Sequence, residues 1–227
     1  MRAVGRAFSL AIQDWWNGLI PLAVVNVLWL VCVLTVIGGP PGTAALLVVA
    51  RGATGGHAVD PRTFVTALRP LFWRSWGLGA VSAAGTLFLT VDWAFYRVQL
   101  QDLGLGYGAG MLLLTYALVV WLEFLLIAWP LLVDQPHLRL RDVLRNAGIL
   151  TLRYPAANLG LAVLVLLLVL IALVVAPMIG LAVGAMVALL AQHYLNQQVP
   201  ALGVFPPLPG EGLEPSGTAA LDSLDSP

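Results

Sequence analysis

The sequence predicts an all-α membrane protein. The expected architecture is a polytopic helical bundle of five to six transmembrane helices, in three units of an elbow helix plus a hairpin. Three observations predict it. Hydrophobic residues make up 60% of the 227-residue chain and charged residues only 10%, whereas a soluble domain carries about 25% charged residues. Several apolar runs reach the ~20 residues that a helix needs to cross a bilayer. An arginine-bearing amphipathic stretch leads into such a run three times, at Arg2–Trp16, Arg62–Trp73 and Arg139–Tyr154.

The first unit begins with a helical period. Val4, Phe8, Ala11, Ile12 and Trp15 share one face, and Arg2, Arg6, Ser9 and Gln13 the other. Such a helix lies in the headgroup plane with arginines on phosphates and tryptophans at the interface. It is expected not to be a cleaved leader, because its n-region is amphipathic and the next run is spanning length. Leu19–Ile37 is the first span. Gly38-Gly39-Pro40-Pro41-Gly42 then gives a strong turn signal. The next apolar run, Thr43–Ala50, covers only about 12 Å, or about 22 Å if extended to His57. It reads as a short, half-inserted returning helix packed against protein, with Arg51 part-way down.

The second unit repeats the pattern. Phe64, Leu68, Leu71 and Phe72 oppose Arg62, Thr66 and Arg69. Spans follow at Trp76–Tyr96 and Ala109–Val133, joined by a glycine-rich outer connection. In the third unit Leu140, Val143, Leu144 and Ala147 oppose Arg141 and Arg145. Its spans are Ala156–Ala176 and Met178–Leu195. If Thr43–His57 returns to the side of its origin, every arginine except Arg97 lies on one side. The positive-inside rule then places both termini in the cytoplasm of a multi-pass protein of the bacterial inner or plasma membrane. Residues 1–199 form a single transmembrane domain, with units at about 1–57, 58–134 and 135–199. Residues 200–227 are Pro-, Gly- and Ser-rich, with Glu211, Glu214, Asp222 and Asp225 and no base. They read as a disordered acidic cytoplasmic tail.

Composition also narrows the chemistry. Formal net charge is +0, so the overall balance implies no nucleic-acid partner; the bilayer is the expected one. All eleven basic residues are arginine, which excludes a lysine-dependent phosphate loop and Schiff-base catalysis. The one cysteine, Cys32, reads as a small hydrophobe in an apolar run. His57 with Asp60, and Asp134 with His137, are isolated neighbours. A metal or hydrolytic site needs three or more convergent groups, so no metal, cofactor or catalytic residue is expected, nor an enzyme.

The candidate polar site lies within the membrane. Glu123 sits about 21 Å below the outer end of its span, where a carboxylate is costly and functional by default. Three readings compete: a pair with Arg51 at similar depth, a protonated hydrogen-bonded acid, or a group lining an ion path. Asn26 and Asn158 can bond between helices. Gly180 and Gly184 form a GxxxG spacing, which serves packing within the bundle or a homo-oligomer.

One stretch resembles a known family. Asn26-Val-Leu-Trp29, then Leu34-Thr35-Val-Ile-Gly38-Gly39-Pro40-Pro41-Gly42-Thr43-Ala44-Ala45-Leu46, is similar to the YesL-like family of small bacterial integral membrane proteins. Phe64 through Trp76 matches the amphipathic, aromatic and basic segment that follows there. The resemblance covers roughly residues 5–198 and departs at the proline-rich turn and the tail. It implies an association with carbohydrate ABC uptake systems, hence ABC transporter membrane subunits as partners, and carries no catalytic or binding residues. The expected function is a non-enzymatic accessory or scaffold protein. The alternative is a small transporter or channel using Glu123 and the broken helix after Pro41.

Overall fold

The computed structural model describes residues 2–99, 105–175 and 177–198; the expected acidic tail lies outside the described residues. Among those residues the chain is wholly helical. The helices are α1 (Arg2–Asn17), α2 (Leu19–Leu34), α3 (Gly39–Thr54), α4 (Pro61–Gln99), α5 (Leu105–Asp134), α6 (Leu140–Arg153), α7 (Pro155–Val175) and α8 (Pro177–Gln198). Two helices, at Pro61–Val98 and Gly106–Asp134, are long and apolar enough to cross a membrane. The number rises to four if each of two bent pairs is one span. Among the described residues α2 and α3, both counted in the five to six spans expected, have 16 residues each. At 1.5 Å per residue each covers about 24 Å, short of the ~30 Å hydrocarbon.

Both bends follow helices expected to be amphipathic, α1 and α6. The chain turns by 96° between α1 and α2, and by 100° between α6 and α7. The first turn is at Gly18, where an added Cβ would lie 3.2 Å from Leu22 and 3.3 Å from the Asp14 carbonyl. The second is at Tyr154, whose backbone is non-helical (φ −128°, ψ 54°). Pro155 follows it. A residue before proline is pushed out of the helical region, while proline itself suits the first position of a new helix. Asn158 fastens this bend, its Nδ2 donating to the carbonyls of Thr151 (2.9 Å) and Leu150 (3.3 Å) at the open end of α6. Tyr194 of α8 donates its hydroxyl to the Asn158 Oδ1 at 2.6 Å.

The second expected elbow has no helix break after it. Arg62–Trp73 and the span after it form one continuous helix of 39 residues. No glycine or X-Pro step stands at the junction, where Arg74 and Ser75 continue the helix. Pro70 lies inside α4 without dividing it. Asp60 caps its start, accepting the Arg62 N–H at 2.9 Å.

The main core joins α1, α2, α3, α8 and the first turns of α4 around Leu22, Val25, Leu46, Phe64, Leu189 and Tyr194. A second cluster joins α4, α5 and α6 around Leu78, Leu131 and Val143. In α1 the buried face is Val4, Ala7 and Ala11, while Ile12 and Trp16 are exposed. The α2–α3 turn rests against the middle of α4: Trp76 Nε1 donates to the Ile37 carbonyl (3.1 Å), and a Cβ on Gly79 would come within 2.8 Å of Pro40. From Gly79, α4 runs on for about 30 Å beyond that turn. There it pairs with α5 through Trp121 Nε1 on Thr86 (3.0 Å), Trp93 Nε1 on Thr115 (3.3 Å) and the stacked rings of Tyr96 and Tyr107.

Candidate functional site

Three helices meet in a polar knot. Arg51, in the last turn of α3, sets its Nε 3.2 Å from the Asp134 Oδ1 at the end of α5. Its Nη1 donates to the Val133 carbonyl at 3.1 Å. Gln192 of α8 donates its Nε2 to the same Asp134 oxygen at 2.8 Å. The Gln192 side chain is wholly buried, and its Oε1 has no partner among the described residues. Nearby, Asn196 Nδ2 reaches the Thr54 hydroxyl at 3.4 Å. Arg74 closes the open end of α5, donating to the carbonyls of Gln135 (3.1 Å), Pro136 (2.5 Å) and Leu138 (2.9 Å). Those carbonyls belong to the turn between α5 and α6. His193 Nε2 lies 2.7 Å from Asp14 Oδ2 and ties α8 to α1.

This knot corrects the pairing expected for Arg51. Its partner is Asp134, and Glu123 takes part in no ion pair among the described residues. The two carboxylates are 11 positions apart on α5, about 16 Å along the helix. The depth argument failed because α3 starts at Gly39 rather than Thr43, so Arg51 lies near the end of the arm. Glu123 is buried, 5% exposed, within electrostatic range of Tyr194.

Asn26 is fully buried and keys α2 into α8. Its Oδ1 accepts the Ala185 N–H at 3.0 Å, while its Nδ2 has no partner among the described residues. Gly184 makes room, since a Cβ there would lie 2.5 Å from Asn26 Oδ1 and 2.8 Å from the Trp29 ring. The surroundings of Gly180 lie outside the described residues. Arg62 and Arg69 on α4, and Arg141 and Arg145 on α6, are exposed. The knot gathers none of them.

Directly beyond the knot lies an apolar cleft of about 1020 Å³ between α2, α3, α5, α7 and α8. Of its lining groups, the Trp29 indole N–H and the Thr43 hydroxyl are polar, and they bond to each other at 3.2 Å. Leu47, Pro130 and Ala188 line it. Arg51, Asp134 and Gln192 stand one helical turn further along the same three helices, on the same faces. The knot therefore closes one end of the cleft. Glu123 is not among the lining residues, although its neighbour Leu122 is.

Sequence reasoning missed Asp134, Gln192, Arg74 and the Asp14–His193 contact. For Asp134 a signal was present: it ends a long span on the side to which α3 returns. Gln192 and Arg74 gave no comparable signal, because a polar residue near a span end is ordinarily solvated.

Among the described residues no group of three or more His, Cys, Asp or Glu side chains is placed to hold a metal ion. Residues 22–93 match a family model described as a protein of unknown function, DUF624. The match takes in Asn26, Trp29, Arg51, Arg62 and Arg69, under half of the chain, and stops short of Glu123 and Asp134. No curated protein and no solved structure matches the chain.

Proposed function

We propose that the chain is a non-enzymatic accessory or scaffold protein of the bacterial inner membrane, working beside a carbohydrate ABC uptake system. One observation carries the scaffold reading. The half-buried Arg51 and Asp134 and the buried Gln192, Asn158 and Asn26 tie helix to helix. The arginine faces of α4 and α6 stay exposed beside large apolar side chains, Trp73 (82% exposed) and Leu152 (77%) among them. A rigid bundle with aromatic- and arginine-rich faces suits partner contact, because those residue types dominate interface energetics. The sugar-uptake partner rests on the resemblance of Asn26–Leu46 and Phe64–Trp76 to the YesL-like family, with which the match over residues 22–93 is compatible.

In this reading six helices cross, in three units, the short α2 and α3 crossing where the bilayer thins to match them, with α1 and α6 on the cytoplasmic surface and both termini inside. The near-right-angle bends at Gly18 and Tyr154 are what interfacial elbows require. The first turns of α4, with Arg62, Arg69 and Arg74, remain on the arginine-rich side. This satisfies the positive-inside rule and leaves Trp76–Tyr96 to cross. Glu123, the residue on which a transport role turns, lies outside the cleft.

The test is photocrosslinking in native membranes from positions 69 and 145. The expected result is an adduct with an ABC transporter membrane subunit, lost in Arg69→Glu and Arg145→Glu. Adducts to lipid alone from both positions would remove the scaffold reading.

A further inference from the structure

We propose that the apolar cleft is a binding site for one acyl chain of a membrane phospholipid, admitted sideways between α5 and α7. The cleft, about 1020 Å³, is at the upper end of the ~300–1,000 Å³ of ligand sites. Its interior offers a ligand no unpaired polar group: the Trp29 indole and the Thr43 hydroxyl satisfy each other, and the hydroxyl also donates to the Gly39 carbonyl at 3.0 Å. The occupant is therefore hydrocarbon. The rim is open where α5 meets α7, at Leu122 (47% exposed), Leu159 (50%), Val163 (48%) and Leu166 (57%). These side chains face the apolar phase, so entry is lateral.

The rim chooses between a lipid chain and a partner helix. Partner helices approach through small residues, whereas the exposed rim is leucine and valine. Of the small residues that line the cleft, Gly184, Ala188 and Ala191 are on α8, and Ala162 on α7 is half-buried. A flexible hydrocarbon chain fits that rim. The Arg51–Asp134–Gln192 knot ends the apolar path and sets how far the chain can enter. The inference goes beyond the scaffold reading and does not depend on it.

Full-length protein, extracted in mild detergent and exchanged repeatedly, is examined by native mass spectrometry with lipid analysis. One phospholipid per chain should survive exchange. Val163→Trp and Leu166→Trp, at the open rim, should lower its retention by about tenfold. Leu112→Trp, equally lipid-facing on α5 but outside the cleft, should leave retention unchanged. Far-UV circular dichroism and gel filtration establish that each variant is folded. A photolabel at position 163 should capture phospholipid. Loss of all lipid from the wild type, equal retention in folded rim variants, an isoprenoid in place of a phospholipid, or capture of a protein helix from position 163 would each overturn the proposal.

Discussion

The α2–α3 hairpin is short and internally fastened; the α4–α5 hairpin is long and loosely paired. The arms of the first have 16 residues each, and those of the second 39 and 30. In the short hairpin, Gly42 brings α3 onto α2: a Cβ there would lie 2.7 Å from the Cys32 Cβ. Trp29 and Thr43 bond across it, and α3 is buried from Ala44 through Leu47. Beyond Gly79 the long hairpin exposes Leu87, Phe88, Val91, Phe95, Leu112 and Leu113. Its aromatic side chains span the gap between helices. Leucine and phenylalanine at that exposure need lipid as solvent. Apolar composition alone cannot separate the two hairpins. The placement of small residues does, because it decides whether a helix is covered by protein or by lipid.

The largest expected effect breaks the short hairpin. Gly42→Leu forces α2 and α3 apart at a contact whose other side is a Cβ fixed to its backbone. Overpacking should cost about 3 kcal/mol. Gly85→Leu meets the Trp121 ring instead. That ring is held by a hydrogen bond to Thr86 and by stacking on Phe124, side-chain contacts that can yield more readily than a backbone, so the loss should be about 1 kcal/mol. Unfolding in mixed micelles reads both. Equal losses would mean that the two hairpins do not differ in packing.

Next in size is the knot that joins the first hairpin to the second. Asp134→Ala leaves the Arg51 guanidinium without its carboxylate. The Arg51 side chain is 35% exposed and that of Asp134 17%. The loss should therefore fall below that of a buried pair, at about 2 kcal/mol. Adding Arg51→Ala should recover part of it, giving a coupling of at least ~0.5 kcal/mol in the double-mutant cycle. The cycle of Arg51→Ala with Glu123→Ala should be additive. Coupling in the second cycle but not in the first would restore the pairing that depth counting suggested.

That reversal marks how far the sequence could be read. The amphipathic helices α1 and α6 were legible because their periodicity is local; the breakers at their ends, Gly18 and Tyr154-Pro155, are equally local but were not singled out. The continuity of α4 follows from the lack of a breaker at Arg74-Ser75, which amphipathic periodicity does not register. The equal arms of the short hairpin were missed because Gly39-Pro40-Pro41 was read as turn. Proline is at home in the first turn of a helix, and there the two prolines begin α3. Asn26 and Arg51 stood out as residue types costly in a membrane, and Gly184 through its GxxxG spacing. Their partners Ala185 N–H, Trp29 and Asp134 did not, since a partner 159 positions away is set by tertiary packing.

The smallest effect sharpens the comparison at the tip of the short hairpin. Val36 has a positive φ of 59°, a left-handed conformation costing an L-residue about 1–2 kcal/mol. The turn holds it there. The Thr35 hydroxyl donates to the Cys32 carbonyl (2.7 Å) and accepts the Gly38 N–H (3.3 Å), and Trp76 grips the Ile37 carbonyl from α4. Val36 is itself 72% exposed, so its removal forfeits little packing. Val36→Gly should therefore raise stability by about 0.5–1 kcal/mol, the relief of strain less the greater unfolded-state freedom of glycine. Val31→Gly, in the regular part of α2, should instead lower it by about 1 kcal/mol. Losses of similar size from both glycines would mean that the tip carries no strain. A gain at position 36 alone would show that the grip of α4 holds the short hairpin in a shape its own backbone resists.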